Sequence, residues 1–157
     1  MQFNVCGLLA RQNEFKHFLT GMISTPDVIC IQESFLKPHK QFKLDNYNIV
    51  RKDRSNQEKG GVVTLIKCSM NYKVLPTPDE YECIAVEVII NNTVYTIVNV
   101  YISPSQDINP ASFSELFRFK NAIVTGDMNS HNPLWKSPSL NRRGRLLKAF
   151  LMILTFQ

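Results

Sequence analysis

The residues best suited to chemistry lie in one run, Gly126-Asp127-Met128-Asn129-Ser130-His131-Asn132, one residue after a short apolar stretch, residues 122–124. A carboxylate, two amides and an imidazole crowd the end of what reads as a buried strand. That is a poor choice for stability alone and a good one for holding a metal ion and a phosphate. Glu33 stands at the end of an earlier apolar run, and Asn4 lies in the first one. Two carboxylates (Glu33, Asp127) and two amides (Asn4, Asn129) offer only oxygen donors to a metal, which suits a hard divalent cation such as magnesium. Taken singly, each has an ordinary reading. Glu33 would be a solvated strand end, Asp127 a turn residue, Asn4 a loop cap and His131 a surface or core histidine. The site reading draws its weight from the set. Tyr101, at the end of another strand, could offer its phenol to a phosphate oxygen or be a plain strand aromatic. Arg51, Lys52, Arg54 and Lys59, with Lys136, Arg142, Arg143 and Arg145, form basic loops. They could meet DNA phosphates in a salt-dependent way, or form a solvated face.

The elements that must carry these residues follow from the apolar spacing. Residues 3–6 read as a strand, and residues 11–22 as a helix with Phe15, Phe18, Leu19 and Met22 on one face. Residues 28–31 are a buried strand with Gln32 and Glu33 at its end. Residues 47–50 and 62–67 are strands on either side of a charged loop closed by Gly60-Gly61. Two β-branched runs, residues 83–90 and 93–101, are separated only by Asn91-Asn92, a tight hairpin signal. Residues 111–119 suggest a short helix with Phe113, Leu116 and Phe117 inward, residues 122–125 the last strand, and residues 144–154 a final helix after a loop at 133–143. Hairpins mixed with strand–helix units predict an α/β layered sandwich of mixed sheets flanked by helices. Strand ends meet at one rim of a sheet, so Asn4, Glu33, Asp127 and Asn129 can form one site.

With 157 residues, 44% apolar and 20% charged, the chain has the length and composition of one globular domain. The net charge of +5 favours acidic partners mildly. Cys6, Cys30, Cys68 and Cys83 show no metal-site spacing. Cys6, Cys30 and Cys83 read as small buried side chains in a reducing compartment. No secretory signal opens the chain and no apolar run could span a bilayer. The expected location is therefore intracellular, nuclear or cytoplasmic, not secreted and without a membrane partner. The sequon Asn91-Asn92-Thr93 reads as a turn.

Five blocks, in order, resemble the endonuclease/exonuclease/phosphatase superfamily, and within it the endonuclease domain of non-LTR, jockey-type retrotransposons. Asn4-Val5-Cys6-Gly7-Leu8 is similar to the family's W-N-x-x-G-L, with Phe3 where Trp is usual. Pro26-Asp27-Val28-Ile29-Cys30-Ile31-Gln32-Glu33-Ser34 resembles P-D-I-I-x-L-Q-E-T. Gly60-Gly61-Val62-Val63 with Ile66-Lys67 resembles G-G-V-A-I-L-I-K. Val98-Asn99-Val100-Tyr101-Ile102-Ser103-Pro104 is similar to the next block. Gly126-Asp127-Met128-Asn129-Ser130-His131-Asn132-Pro133-Leu134-Trp135 resembles G-D-F-N-A-H-N-x-x-W, the extension that points to retroelements.

The resemblance implies a magnesium-dependent enzyme, with manganese able to take the metal's place, that nicks DNA. Glu33 would bind the metal with Asn4 beside it. Tyr101 would contact the scissile phosphate or organise its neighbours, Asp127 would activate the attacking water, and Asn129 would hold the phosphate. Arg51, Lys52, Arg54, His131, Asn132, Arg142 and Arg143 would be candidates for DNA contact. In a full element the partner would be a reverse transcriptase domain on the same chain. The family's terminal Ser-Asp-His block is not in these residues, so the expectation for residues 1–157 is a partial domain, incomplete at the C-terminus, with activity impaired. Two alternatives stand beside this reading. One is a superfamily phosphodiesterase or phosphatase acting on a small molecule or lipid. The other is a non-catalytic DNA-binding or decayed fragment.

Overall fold

The computed structural model describes residues 1–54 and 59–155, with side chains to residue 152. Part of the charged loop expected before Gly60 falls on residues 55–58, outside the described residues. In chain order the elements are β1 (Gln2–Asn4), α1 (Gln12–Thr20), β2 (Val28–Gln32), β3 (Tyr47–Lys52), β4 (Val62–Lys67), β5 (Tyr72–Leu75), β6 (Glu82–Ile90), β7 (Thr93–Tyr101), α2 (Pro110–Ser114), β8 (Ala122–Asp127) and α3 (Arg142–Thr155). Short 3₁₀ turns follow α2 and lie at Pro133–Trp135. The α/β sandwich expected from the sequence is present.

Two four-stranded sheets, in the orders β1-β2-β4-β3 and β5-β6-β7-β8, pack face to face. Both are mixed. β1 is parallel to β2 and β7 to β8, while the other pairings are antiparallel. Alternation along each strand splits the apolar residues into three cores. Val28, Cys30, Val62, Ile66, Ile84, Val86 and Ile97 meet between the sheets. Ile29, Ile31, Val63 and Leu65 turn outward under Phe15 and Leu19 of α1. Ala85, Val98 and Val100 lie under Phe113 and Leu116, with Leu146, Leu147 and Phe150 of α3 against them. The layers therefore run helix, sheet, sheet, helix. Asn91 and Asn92 both take positive φ, +49° and +61°, as a two-residue type I′ hairpin turn requires.

One polar cluster pins the sheets together inside this apolar contact. The Gln32 amide donates to Asn99 Oδ1 at 2.7 Å, and Asn99 Nδ2 donates to the Val63 carbonyl at 2.9 Å and to Thr64 Oγ1 at 3.2 Å. All three side chains are fully buried. Every such buried group needs a partner, and no buried side-chain N or O among the described residues lacks one.

Several boundaries differ from expectation. β1 ends at Asn4, and Cys6 takes φ +46° and is exposed, so the reading of Cys6 as buried is corrected. Cys30 and Cys83 are buried as expected. β5 has three exposed residues of four, which leaves no alternation for sequence to show. No helix of the described residues is long and apolar enough to cross a membrane.

Candidate active site

The two parallel pairings bring the C-terminal ends of β1, β2, β7 and β8 to one rim. Asn4 is the last residue of β1, opposite Gln32 of β2. Glu33 follows β2 in the left-handed region at φ +52°. Its carbonyl accepts from Gly7 N–H at 2.8 Å, which fixes the turn against the chain leaving β1. Tyr101 and Asp127 are paired across β7 and β8. Gly126, at φ +148°, lets β8 run close to β7. A Cβ there would lie 1.8 Å from the Val100 carbonyl oxygen. The strand thus continues through Gly126 to Asp127 instead of stopping before it.

One amide joins the two sheets at this rim. Asn4 Nδ2 donates to Glu33 Oε1 at 2.8 Å and to Asp127 Oδ2 at 2.7 Å. Both carboxylates therefore converge on a single nitrogen. Asn4 Oδ1 accepts from Cys6 N–H at 3.3 Å, which sets the side chain's orientation. The other oxygen of Asp127 accepts from Asn129 N–H at 2.9 Å. Asn129 stands at φ +49°, and its amide donates to the Ile102 carbonyl at 3.0 Å. Tyr101 is 4% exposed and hydrogen-bonds Glu33. Burial and that carboxylate push its phenol up to about 12, against the opposing pull of Arg54. The phenol therefore stays protonated and donates throughout the neutral range. Arg54 lies over the Tyr101 ring, 5.8 Å from its centre, and pairs with Glu82, the residue facing Tyr101 on β6.

The structure thus brings Asn4, Glu33, Tyr101, Asp127 and Asn129 into one constellation. Among the described residues, no group of three or more His, Cys, Asp or Glu could hold a metal ion. The available donors are the Glu33 and Asp127 carboxylates and the amide oxygen of Asn4, all oxygen, on a half-exposed rim. That set fits a hard cation that keeps most of its own waters, and it does not fit zinc or another soft metal.

The basic candidates divide. Arg51 binds Asp53 and the carbonyls of Lys40 and Lys37, at 2.8 Å and 2.6 Å. Lys52 reaches the Tyr81 carbonyl at 3.2 Å and Asp79 at 3.7 Å. Arg143 donates to the carbonyls of Met128 and Ile102, at 3.2 Å and 3.5 Å, and to that of Pro104. Arg142 is exposed and meets the exposed Asp107 at 3.5 Å. His131 is exposed, with Nδ1 2.9 Å from Ser137 Oγ. Asn132 is 5% exposed, and its side chain is used on Leu134 N–H and the Gly144 carbonyl. Beyond Asp127, a cavity of about 620 Å³ opens along β8, lined by Val124, Met128, His131, Trp135, Leu147 and Leu151 among others.

Sequence reasoning passed over two groups of residues. Gln32, Thr64 and Asn99 lie behind the site, where their polarity within apolar strands was the available signal. Asn141, just before α3, and Gly144, in its first turn, touch the Asn129 loop, a contact that spacing along the chain does not show.

This rim, with its carboxylates and amides at the mouth of a two-sheet sandwich, defines a domain of the nuclease and phosphodiesterase type. The chain belongs to the Endonuclease/Exonuclease/phosphatase family, whose profile it matches over residues 1–156. Among solved structures it is similar to the endonuclease domain of TRAS1, a telomere-specific non-LTR retrotransposon, with a TM-score of 0.72, 16% identity, and coverage of 98% of this chain and 70% of that one. It is also similar to the 3′-5′ exonuclease NExo of Neisseria meningitidis (TM-score 0.52, 17% identity, 83% of this chain and 57% of that one). A third likeness is to humanized TDP2 of D. rerio (TM-score 0.56, 15% identity, 90% and 70%). Identities at this level carry the fold alone. No curated protein sequence matches the chain.

Proposed function

We propose that the chain is the catalytic part of a magnesium-dependent endonuclease that cuts one strand of DNA, of the kind that opens target sites for retrotransposition. The observation that carries this reading is the Asn4 amide joined to both the Glu33 and Asp127 carboxylates. It assembles, from both sheets, a compact cluster of oxygen donors beside Asn129 and Tyr101.

Glu33, with the amide oxygen of Asn4, would hold the cation. When bound, that cation supplies positive charge to the phosphoryl oxygens and the leaving group. Asp127 sits where its carboxylate can orient a water and take its proton. Both its oxygens are already fixed by Asn4 and by the Asn129 backbone, so little reorganisation accompanies that transfer. One Asn129 amide hydrogen is used on Ile102, and the other is left for a non-bridging phosphate oxygen. The buried Tyr101 hydroxyl holds Glu33 in place. Arg142 and Arg145, both exposed in the first turn of α3, would supply phosphate contacts. Within a retroelement, the 3′ hydroxyl left by the nick would prime a reverse transcriptase carried on the same polypeptide.

The test is nicking of supercoiled plasmid by the purified chain with magnesium, with EDTA, and with Glu33→Gln and Asp127→Asn. Cleavage that needs magnesium and both carboxylates upholds the reading. A folded, monomeric chain that binds DNA but never cuts it would assign the fold a binding role instead.

A further inference from the structure

We propose that Asn141 is a positioning residue that holds the left-handed turn at Asn129, and that the start of α3 thereby sets the geometry of the phosphate-facing amide. The assignment of Asn129 as phosphate-facing rests on the nuclease reading above. The clamp itself rests on hydrogen bonds.

Asn129 is held on three sides. Its N–H donates to Asp127 at 2.9 Å and its side-chain amide to the Ile102 carbonyl at 3.0 Å. Its carbonyl accepts from Asn141 Nδ2 at 2.9 Å. The same Asn141 side chain uses its oxygen twice, accepting from Gly144 N–H at 2.7 Å and from His131 N–H at 3.1 Å. Asn141 N–H in turn donates to the His131 carbonyl at 3.0 Å. The oxygen of this amide therefore caps α3 and holds His131, while its nitrogen alone grips Asn129. Gly144 makes the approach close enough, because a Cβ there would lie 1.8 Å from the His131 carbonyl oxygen. A non-glycine residue at positive φ costs energy and persists only where its surroundings impose it. At Asn129 the surroundings are this clamp, the Asp127 carboxylate and the Ile102 carbonyl.

The two halves of the Asn141 amide can be separated. Asn141→Ser keeps a neutral oxygen that caps a helix nearly as well, but its hydroxyl is one atom shorter than the amide nitrogen that reaches the Asn129 carbonyl. Asn141→Asp also keeps the cap and loses the donor. With Asn129 slackened by a fraction of an ångström to one ångström, kcat for plasmid nicking should fall roughly 10- to 100-fold with KM nearly unchanged. The melting temperature should stay close to that of wild type. Deuterium exchange should quicken in residues 127–132 and remain slow in residues 145–152.

Unchanged exchange in residues 127–132 in both variants would overturn the proposal. So would exchange that quickens equally across α3, because Asn141 would then be a helix cap only. Were the wild-type chain inactive on DNA, the nuclease reading would fall, and the exchange measurement would still decide the clamp.

Discussion

Asn99 offers the sharpest test of how the sheets are held in register. Asn99→Leu keeps the volume roughly and removes every hydrogen bond of the cluster at once. The Gln32 amide, fully buried, loses Asn99 Oδ1, its acceptor at 2.7 Å. A buried donor left unpaired costs about 1–3 kcal/mol, and the slightly larger side chain adds strain of about 1 kcal/mol. The expected loss is about 3 kcal/mol, which for a domain of this size lowers the melting temperature by about 6–12 °C. Gln32→Leu alone should be comparably harmful, because it strands the Asn99 oxygen. Replacing both members removes the two mutually dependent amides together, and the Thr64 hydroxyl loses its Asn99 partner equally in the Asn99→Leu single variant and in the double. Gln32→Leu/Asn99→Leu should therefore be more stable than the sum of the single effects by at least about 1 kcal/mol. Urea unfolding followed by circular dichroism measures all four proteins. Additivity within about 0.5 kcal/mol would refute the reasoning, since it would mean the two amides do not depend on one another.

Other outcomes are expected. Gly126→Ala places a methyl 1.8 Å from the Val100 carbonyl oxygen and should cost about 3 kcal/mol or more, read as a lower urea midpoint and loss of nicking. Cys6 and Cys68 are exposed while Cys30 and Cys83 are buried, so Ellman's reagent should titrate two thiols quickly in the native chain and four after unfolding. Burial pushes the Cys30 thiol up to about 12 from its ordinary value near 9, against a weak opposing pull from the N-terminal ammonium. The neutral thiol is the form the fold favours, so this contribution to stability is complete below pH 9 and is lost as pH rises toward 12. Cys30→Ala should flatten that part of the stability profile. Magnesium should raise the melting temperature of the wild-type chain and leave Glu33→Gln unmoved, a measurement that does not depend on cleavage.

Much of the architecture was legible in local patterns. The Asn91-Asn92 turn announced the β6–β7 hairpin because few residues tolerate two successive positive φ values. The apolar run ending at Gln32-Glu33 marked β2, which is buried along its whole length. The site residues were legible because polar groups at the ends of buried strands demand an explanation. β5 escaped notice because an exposed edge strand carries no alternation. Cys6 was misplaced because nothing local signals that β1 stops at Asn4. The grip of Asn141 on Asn129 spans a loop of irregular structure, and the close packing of Gly144 against His131, with the hydrogen bonds between His131 and Asn141, brings the two together.

The arrangement of the strands carries a consequence for how such a protein can change. Each sheet repeats one scheme, an edge strand parallel to its neighbour and then two antiparallel pairings, and the strands that bear the site are the equivalent pair in each: β1 and β2, β8 and β7. Neither layer owns the constellation at the rim; each owns half. The interlayer core is thus a spacer whose thickness and alignment set the distance between half-sites. A slide of one layer by a single residue, about 3.3 Å, would exceed the 2.7 Å that joins Asn4 to Asp127. Substitutions among the interlayer side chains are therefore adjustments of how the half-sites align as well as of packing. Repacking that core for thermal tolerance would shift the geometry of the rim too, even where no altered residue lies on it.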